Sequence, residues 1–241
     1  MGLLFEEIDT QPSPIGTISL RRRRIPALGD DDIYEVKLGD EFLMSSLFVA
    51  AEEALADLGL AALDRDHLSV VVGGVGLGYT AARALRDSRV TRLTVVELLG
   101  PVIHWHQSGQ VPLGPVLSND ERCRLVEGDF FARARGEHGG LDPESSGVGV
   151  DAILLDIDHS PSDWLADGNA AFYTEASLSR LAAQLRPGGV FALWSNEPPE
   201  TGVQKRLSEA IGPTRAEVVT FYNPFQNREA TNTVYVSARE E

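Results

Sequence analysis

Cysteine is almost missing from this chain. Cys123 stands alone among 241 residues, so no disulfide can close within the chain and no cysteine-based metal cluster can be built. Basic residues are also scarce: Lys and Arg total 21 against 36 Asp and Glu, a formal net charge of -15. Such a charge repels phosphate backbones and anionic lipid surfaces, so neither nucleic acid nor a membrane is an expected partner. No apolar run approaches the roughly 20 residues that span a bilayer. The first residues, MGLLFEEIDT, carry acids where a secretory leader carries bases. A reducing cytoplasm is the expected setting. Internal repeats are absent too, and the single low-complexity stretch, GEHGGLDPESSGVG, reads as a surface loop.

What the chain does have is enough apolar content, 43%, for one sizeable core. TISLRRRR, DIYEVKL and EFLMSS read as short strands, with Gly39-Asp40 as a tight turn between the last two. Residues 1–46 are therefore expected to form a small antiparallel β unit. It is too small to be stable alone, so it should pack on the main body or on a second copy, and a homodimer is expected. The run Arg21 to Arg24 reads as the solvated edge of that unit.

Residues 47–241 change to alternating helix and apolar strand. Strands are expected at Leu68–Val72, Leu93–Glu97, Cys123–Val126, Ala152–Asp156 and Val190–Trp194, and helices at Tyr79–Arg86, Val102–Gln107 and Phe172–Leu185. This alternation predicts an α/β fold, a doubly wound, mostly parallel sheet with helices on both faces. AEVVTF and NTVYVSA, joined only by a loop, cannot make a parallel crossover, so the last strand is expected to be antiparallel.

Ligands of such sheets sit beyond the carboxyl ends of the strands, where strand order reverses. There VVVGGVGLGYTAARAL carries Gly73, Gly74, Gly76 and Gly78 between a strand and a helix. Glycines let a ligand approach the backbone, and the helix start points amides at the same place. Glu97, with Leu98 beside it, ends the second strand, where an acid can accept hydrogen bonds from both ribose hydroxyls. Replacing Glu97 is expected to weaken nucleoside binding and leave folding nearly untouched. Gly76, Gly78 and Ala81 also satisfy G-x-G-x-x-A, which keeps an NAD-dependent oxidoreductase open. Gly128-Asp129 after the third strand favours an adenosine ligand of another kind, since an acid there can accept from an adenine amino group. His104 and His106 are two apart on a helix and face different ways; no metal is expected.

Taken together, VVVGGVGLG, VVELLGPVI, RCRLVEGDFF, DAILLDIDHSP and FYTEASLSRLAAQLRPGGVFALWS resemble the class I AdoMet-dependent methyltransferase fold, particularly its spermidine synthase branch. The resemblance runs over Leu68 to Trp194 and implies the seven-stranded methyltransferase-type sheet with a small N-terminal β domain. It further implies S-adenosylmethionine or its decarboxylated form as co-substrate, with the glycine turn near the methionine-derived part, Glu97 on the ribose, Asp129 and Phe130 at the adenine, and Asp156 beside the reacting centre. The chain departs from that pattern at the diamine side. Gly76 stands where the branch carries an Asp, Met44, Ser45 and Ser46 stand at Tyr, His and Glu places, and Asp156-Ile157-Asp158-His159 replaces Asp-x-x-Asp.

A sulfonium makes its attached carbons electrophilic, so the protein must align a nucleophile and keep an amine deprotonated. Asp156 is the candidate to hold the amine and take its proton, with Asp158 and His159 assisting. Trp164, in the following loop, is a candidate cover, while Trp105 and Trp194 read as packing residues. The expected activity is transfer of an aminopropyl or methyl group to a small-molecule acceptor, an amine. The alternative is a catalytically inactive nucleoside-binding module used for assembly.

Overall fold

The computed structural model describes residues 4–142 and 149–240. Residues 143–148, the centre of the expected low-complexity loop, lie outside them. Four strands come first: β1 (Phe5–Ser13), β2 (Gly16–Arg23), β3 (Ile33–Leu38) and β4 (Glu41–Ser45), all antiparallel and in the order β1-β2-β3-β4. β1 is one strand more than the sequence reading expects. Its segment FEEIDTQPS is poor in large apolar residues, and Pro12 is tolerated because β1 is an edge strand. β2 is internal rather than an edge, and its arginines and the one after it face acids: Arg21 pairs with Glu7, Arg22 with Glu6, Arg23 with Glu35 and Arg24 with Asp32.

The small sheet does not build a core of its own. Ile18, Leu20, Val36 and Leu38 are buried in one cluster with Leu55, Ala81 and Trp105 of the main body. Trp105 Nε1 also donates to Asp9 Oδ2 at 2.7 Å, tying the main body to β1.

The remainder alternates as expected: α1 (Ala50–Ala61), β5 (Leu68–Gly73), α2 (Tyr79–Leu85), β6 (Val90–Glu97), α3 (Gly100–Gln107), α4 (Gly114–Ser118), β7 (Cys123–Glu127), α5 (Phe130–Ala134), β8 (Val150–Leu155), α6 (Glu175–Ala182), β9 (Leu185–Ser195), α7 (Thr201–Ala210), β10 (Thr214–Asn223) and β11 (Arg228–Ala238). The helix expected from Phe172 starts later. Thr174 accepts the Ser177 amide and so caps α6, and the segment before it is a 3-10 turn. β9 begins earlier than expected, at Leu185, with the Arg-Pro-Gly-Gly stretch absorbed in a bulge between the Val150–Leu185 and Ala152–Val190 pairs.

The seven-stranded sheet has the order β10-β11-β9-β8-β5-β6-β7. β5 pairs in parallel with both β6 and β8, while β11 runs antiparallel to β9 and to β10. Its two faces bury different residues of the same strands, as period-2 alternation requires. Val70, Val72 and Leu154 point to the α1, α2 and α3 side, and Val71, Ile153 and Leu155 to the α5, α6 and α7 side. Such double burial is why these strands read as unbroken apolar runs. The chain leaves β5 for β6 on one side and returns to β8 on the other, so strand order reverses at β5/β8. No helix among the described residues is long and apolar enough to cross a membrane.

Candidate functional site

At the carboxyl ends of β5, β6, β7 and β8 a cavity of about 860 Å³ opens, a size suited to a small-molecule ligand. The glycine turn forms one side of it. Gly74 has φ +85°, its amide donates to Val96 O at 2.9 Å, and a Cβ there would overlap the Asp156 carbonyl oxygen. Only glycine lets the ends of β5 and β8 come this close. Gly76, at φ +47°, leaves a space that the Met44 sulfur fills from β4, and the Leu77 amide donates to that sulfur at 3.0 Å.

Gly74 and Gly76 line the cavity, but Gly73 and Gly78 do not. Gly73 makes room for the Phe130 ring, and Gly78 starts α2 beside His106 and Leu117. Those two expected nucleoside-binding positions are packing positions. His106 is fully buried and its Nε2 bonds to the Gly76 carbonyl at 2.9 Å. Burial pushes the imidazole below its usual range, so the neutral ring donates from Nε2 and braces the turn.

Glu97 closes β6 at 8% exposure. Its Oε2 accepts the Val75 amide and its Oε1 the Leu99 amide, both at 2.9 Å. Burial raises its pKa and the backbone amides pull the other way. The expectation that folding does not need Glu97 is corrected by this clamp. The Gly76 and Leu98 amides also act on the carboxylate, and Glu97 and Leu98 both line the cavity.

Asp129 caps α5 through Oδ1 alone, which accepts the Phe131 amide at 2.8 Å and the Ala132 amide at 3.1 Å. Its other oxygen stays available at the cavity. Phe130 borders the cavity, but its ring is 2% exposed and packs edge-on to Phe131 and Phe172.

Asp156 follows β8, held where its amide donates to Gly73 O at 2.9 Å. The Thr80 hydroxyl donates to its Oδ2 at 2.7 Å and also lies 3.2 Å from the Glu52 carbonyl. Burial pushes the Asp156 carboxyl up to about 6, with the Thr80 bond opposing. Glu52 of α1 faces the same cavity. Burial first, and the Asp156 charge second, push it up to about 8. The Asp156 charge thus adds to burial in favouring the protonated form of Glu52.

The other candidates separate. Asp158 is 3% exposed and does not line the cavity. Its Oδ1 accepts from the Leu165 amide at 2.9 Å and Asn169 Nδ2 at 2.7 Å, and its Oδ2 from the Tyr173 hydroxyl at 2.8 Å. This carboxylate stitches the loop after β8 rather than facing a substrate. His159 does line the cavity, with Nε2 2.6 Å from Glu41 Oε1, latching that loop to β4. Trp164 donates to its own loop at Pro161 O and stays off the cavity, where Leu165 and Ala166 stand in its place. Trp194, read as packing, lines it.

Sequence reasoning missed Glu52, Thr80 and the contribution of β10 and β11, including Phe221 and Asn232. Glu52 had a signal: it stands four residues after Phe48 and three before Leu55, an acid on the apolar stripe of α1. The hairpin had none, because its closeness to the glycine turn follows from sheet order alone.

No family model matches the chain. Among solved structures, spermidine synthase from Thermotoga maritima matches with a TM-score of 0.73 at 18% identity, covering 97% of this chain and 72% of that one. A spermidine synthase in complex with the transition-state analogue AdoDATO matches with a TM-score of 0.70, again at 18% identity and with 97% and 72% of the two chains covered. The chain has the spermidine synthase fold: a methyltransferase-like, mostly parallel sheet with a four-stranded antiparallel sheet before it.

Proposed function

We propose that the chain is a spermidine synthase-like transferase that takes a group from an AdoMet-type nucleoside, foremost the aminopropyl group of decarboxylated AdoMet, and places it on a small amine. The observation that carries this reading is the convergence of Gly74, Gly76, Glu97, Asp129 and Asp156 on one cavity at the β5/β8 reversal. The residues fit a nucleoside. Glu97 and Asp129 bring carboxylates to the cavity for ribose hydroxyls and an amino group, and Gly74 and Gly76 bring backbone to its edge. The AdoDATO complex of a chain with this fold supports the same assignment.

When bound, the nucleoside supplies a sulfonium-activated carbon. Asp156 does the protein's share of the chemistry. It attracts the acceptor's ammonium, and its carboxylate takes the proton that must leave before the nitrogen lone pair can attack. Glu52 and Thr80 set the protonation of that carboxylate. Transfer then forms one N–C bond and breaks one C–S bond, releasing a neutral thioether nucleoside. Trp194, Leu165 and the β10–β11 hairpin wall the cavity and limit competition from water.

A binding module without turnover is the second reading, favoured by Met44 occupying the space beside Gly76. Incubation with decarboxylated AdoMet or AdoMet and a panel of amines separates the two. Release of methylthioadenosine or S-adenosylhomocysteine, lost in Asp156→Asn, supports the transferase; tight nucleoside binding with no release from any amine rejects it.

A further inference from the structure

Resting on that reading, the composition of the cavity narrows the acceptor. The part lined by the glycine turn, Glu97 and Asp129 suits the nucleoside, which leaves the part between β4, α1, the end of β8 and β10. Its anionic anchor is Asp156 with Glu52, joined through the Thr80 hydroxyl, which donates to one and lies against the backbone of the other. Because the two carboxyl groups repel, they present one negative charge between them rather than two.

Five large apolar side chains line this part, among polar ones that include Ser45, Tyr79 and Asn223. Phe42, Leu43 and Met44 come from β4, Phe48 from the segment before α1 and Phe221 from β10. The Phe48 ring centre lies 5.8 Å from that of Phe221, so the two elements meet there as an aromatic contact. Met44 is fixed by the Leu77 amide, and its sulfur takes the volume beside Gly76 that a polar side chain would need. His159 is paired with Glu41, and Arg228 and Glu229 are exposed neighbours of opposite sign. A second ammonium set against these Phe and Met side chains would lose its hydration, which costs far more than placing a methyl group there.

We infer that the acceptor is a primary amine with a single positive charge and an apolar body, an alkyl- or arylalkylamine, with its nitrogen at Asp156 and Glu52 and its body against Met44, Phe48 and Phe221. The residue that could have made the far wall polar is replaced by a thioether, so selectivity is set by β4 and the hairpin rather than by the carboxylates.

The test uses a matched pair, n-pentylamine and 1,5-diaminopentane, which differ by one terminal ammonium. Methylthioadenosine is first titrated alone. The two amines, and phenethylamine, are then titrated by calorimetry into the nucleoside-saturated protein. The expected result is that n-pentylamine binds at least about tenfold more tightly than the diamine, and that phenethylamine binds as well. Phe42→Glu, at a side chain 47% exposed and so able to accept a charge without unfolding, is expected to shrink that ratio at least about threefold by giving the second ammonium a partner. Equal or tighter binding of the diamine to the natural protein, or no binding of either amine, overturns the inference. If methylthioadenosine itself does not bind, the transferase reading fails separately, and the same amine pair titrated into the nucleoside-free protein still decides whether the cavity selects a monocation.

Discussion

Replacing Glu97 perturbs two functions that one carboxylate performs together. Its oxygens hold the Val75 and Leu99 amides at 2.9 Å each, at a position 8% exposed. Alanine leaves both amides buried without a partner. Hydrogen bonds to a charged group are worth about 1.5–3 kcal/mol each, and relief from burying the charge offsets part of their sum. We therefore expect Glu97→Ala to destabilise the fold by about 2–4 kcal/mol, a large fraction of the usual 5–15 kcal/mol. Glu97→Gln keeps one acceptor and the side-chain volume, so it should cost roughly half as much. Urea unfolding at neutral pH measures both. At a slope of about 2–3 kcal/mol/M the alanine midpoint falls by about 1 M or more, while the glutamine variant remains folded for titration. In that variant methylthioadenosine should bind more weakly by about 1.5–3 kcal/mol, because ribose hydroxyls lose a charged acceptor. An alanine variant that unfolds at the natural midpoint would show that the carboxylate does not hold the turn. Unchanged nucleoside affinity in Glu97→Gln would take the ribose away from Glu97.

Asp156→Asn keeps the volume and an oxygen for the Thr80 hydroxyl but cannot take a proton, so transfer should fall by about 10²–10⁴-fold; a steady-state assay showing less than a tenfold loss would discard Asp156 as the base. Glu52 is raised from 4.5 to about 8, so its contribution to stability is complete below the unfolded value and is lost as pH rises through the folded one. Glu52→Gln should accordingly gain stability relative to the natural protein between pH 5 and pH 9, by a few kcal/mol, and urea midpoints whose difference does not change with pH would contradict the buried pair. Gly74→Ala places a Cβ onto the Asp156 carbonyl at φ +85° and should cost about 2–4 kcal/mol in the same unfolding assay, whereas Gly202→Ala, with nothing within 4 Å in α7, should be neutral or stabilising by up to about 1 kcal/mol; equal effects at the two sites would refute the close approach of β5 and β8. Sedimentation at micromolar concentration checks the expected homodimer, and a monomer there would leave the small sheet supported by Trp105 and the shared core alone.

Local sequence determined the elements whose cause is local. Strands buried on both faces need continuous apolar runs, so the expected strands Leu68–Val72 and Ala152–Asp156 fall within two residues of β5 (Leu68–Gly73) and β8 (Val150–Leu155), and a left-handed turn needs glycine, so Gly74 and Gly76 announced the loop at the end of β5. The acids at strand ends, Glu97, Asp129 and Asp156, were likewise visible, because strand-end position follows from the same pattern. β1 escaped notice since an edge strand that buries little of either face need not alternate cleanly. What each acid does was not legible, for it depends on neighbours far away in the chain. Asp156 and Asp158 are two residues apart with the same chemistry, yet one lines the cavity with its Oδ2 held by the Thr80 hydroxyl while the other is consumed by Leu165, Asn169 and Tyr173. Met44 lies 32 residues before Gly76 in sequence and fills the space beside it, so a substitution at one position has meaning only through the packing of the other. Strand order brought β4, α1, β8 and the β10–β11 hairpin around one cavity, and long-range packing of that kind, paid for by burial of the shared core, leaves no periodic trace in the sequence that produces it.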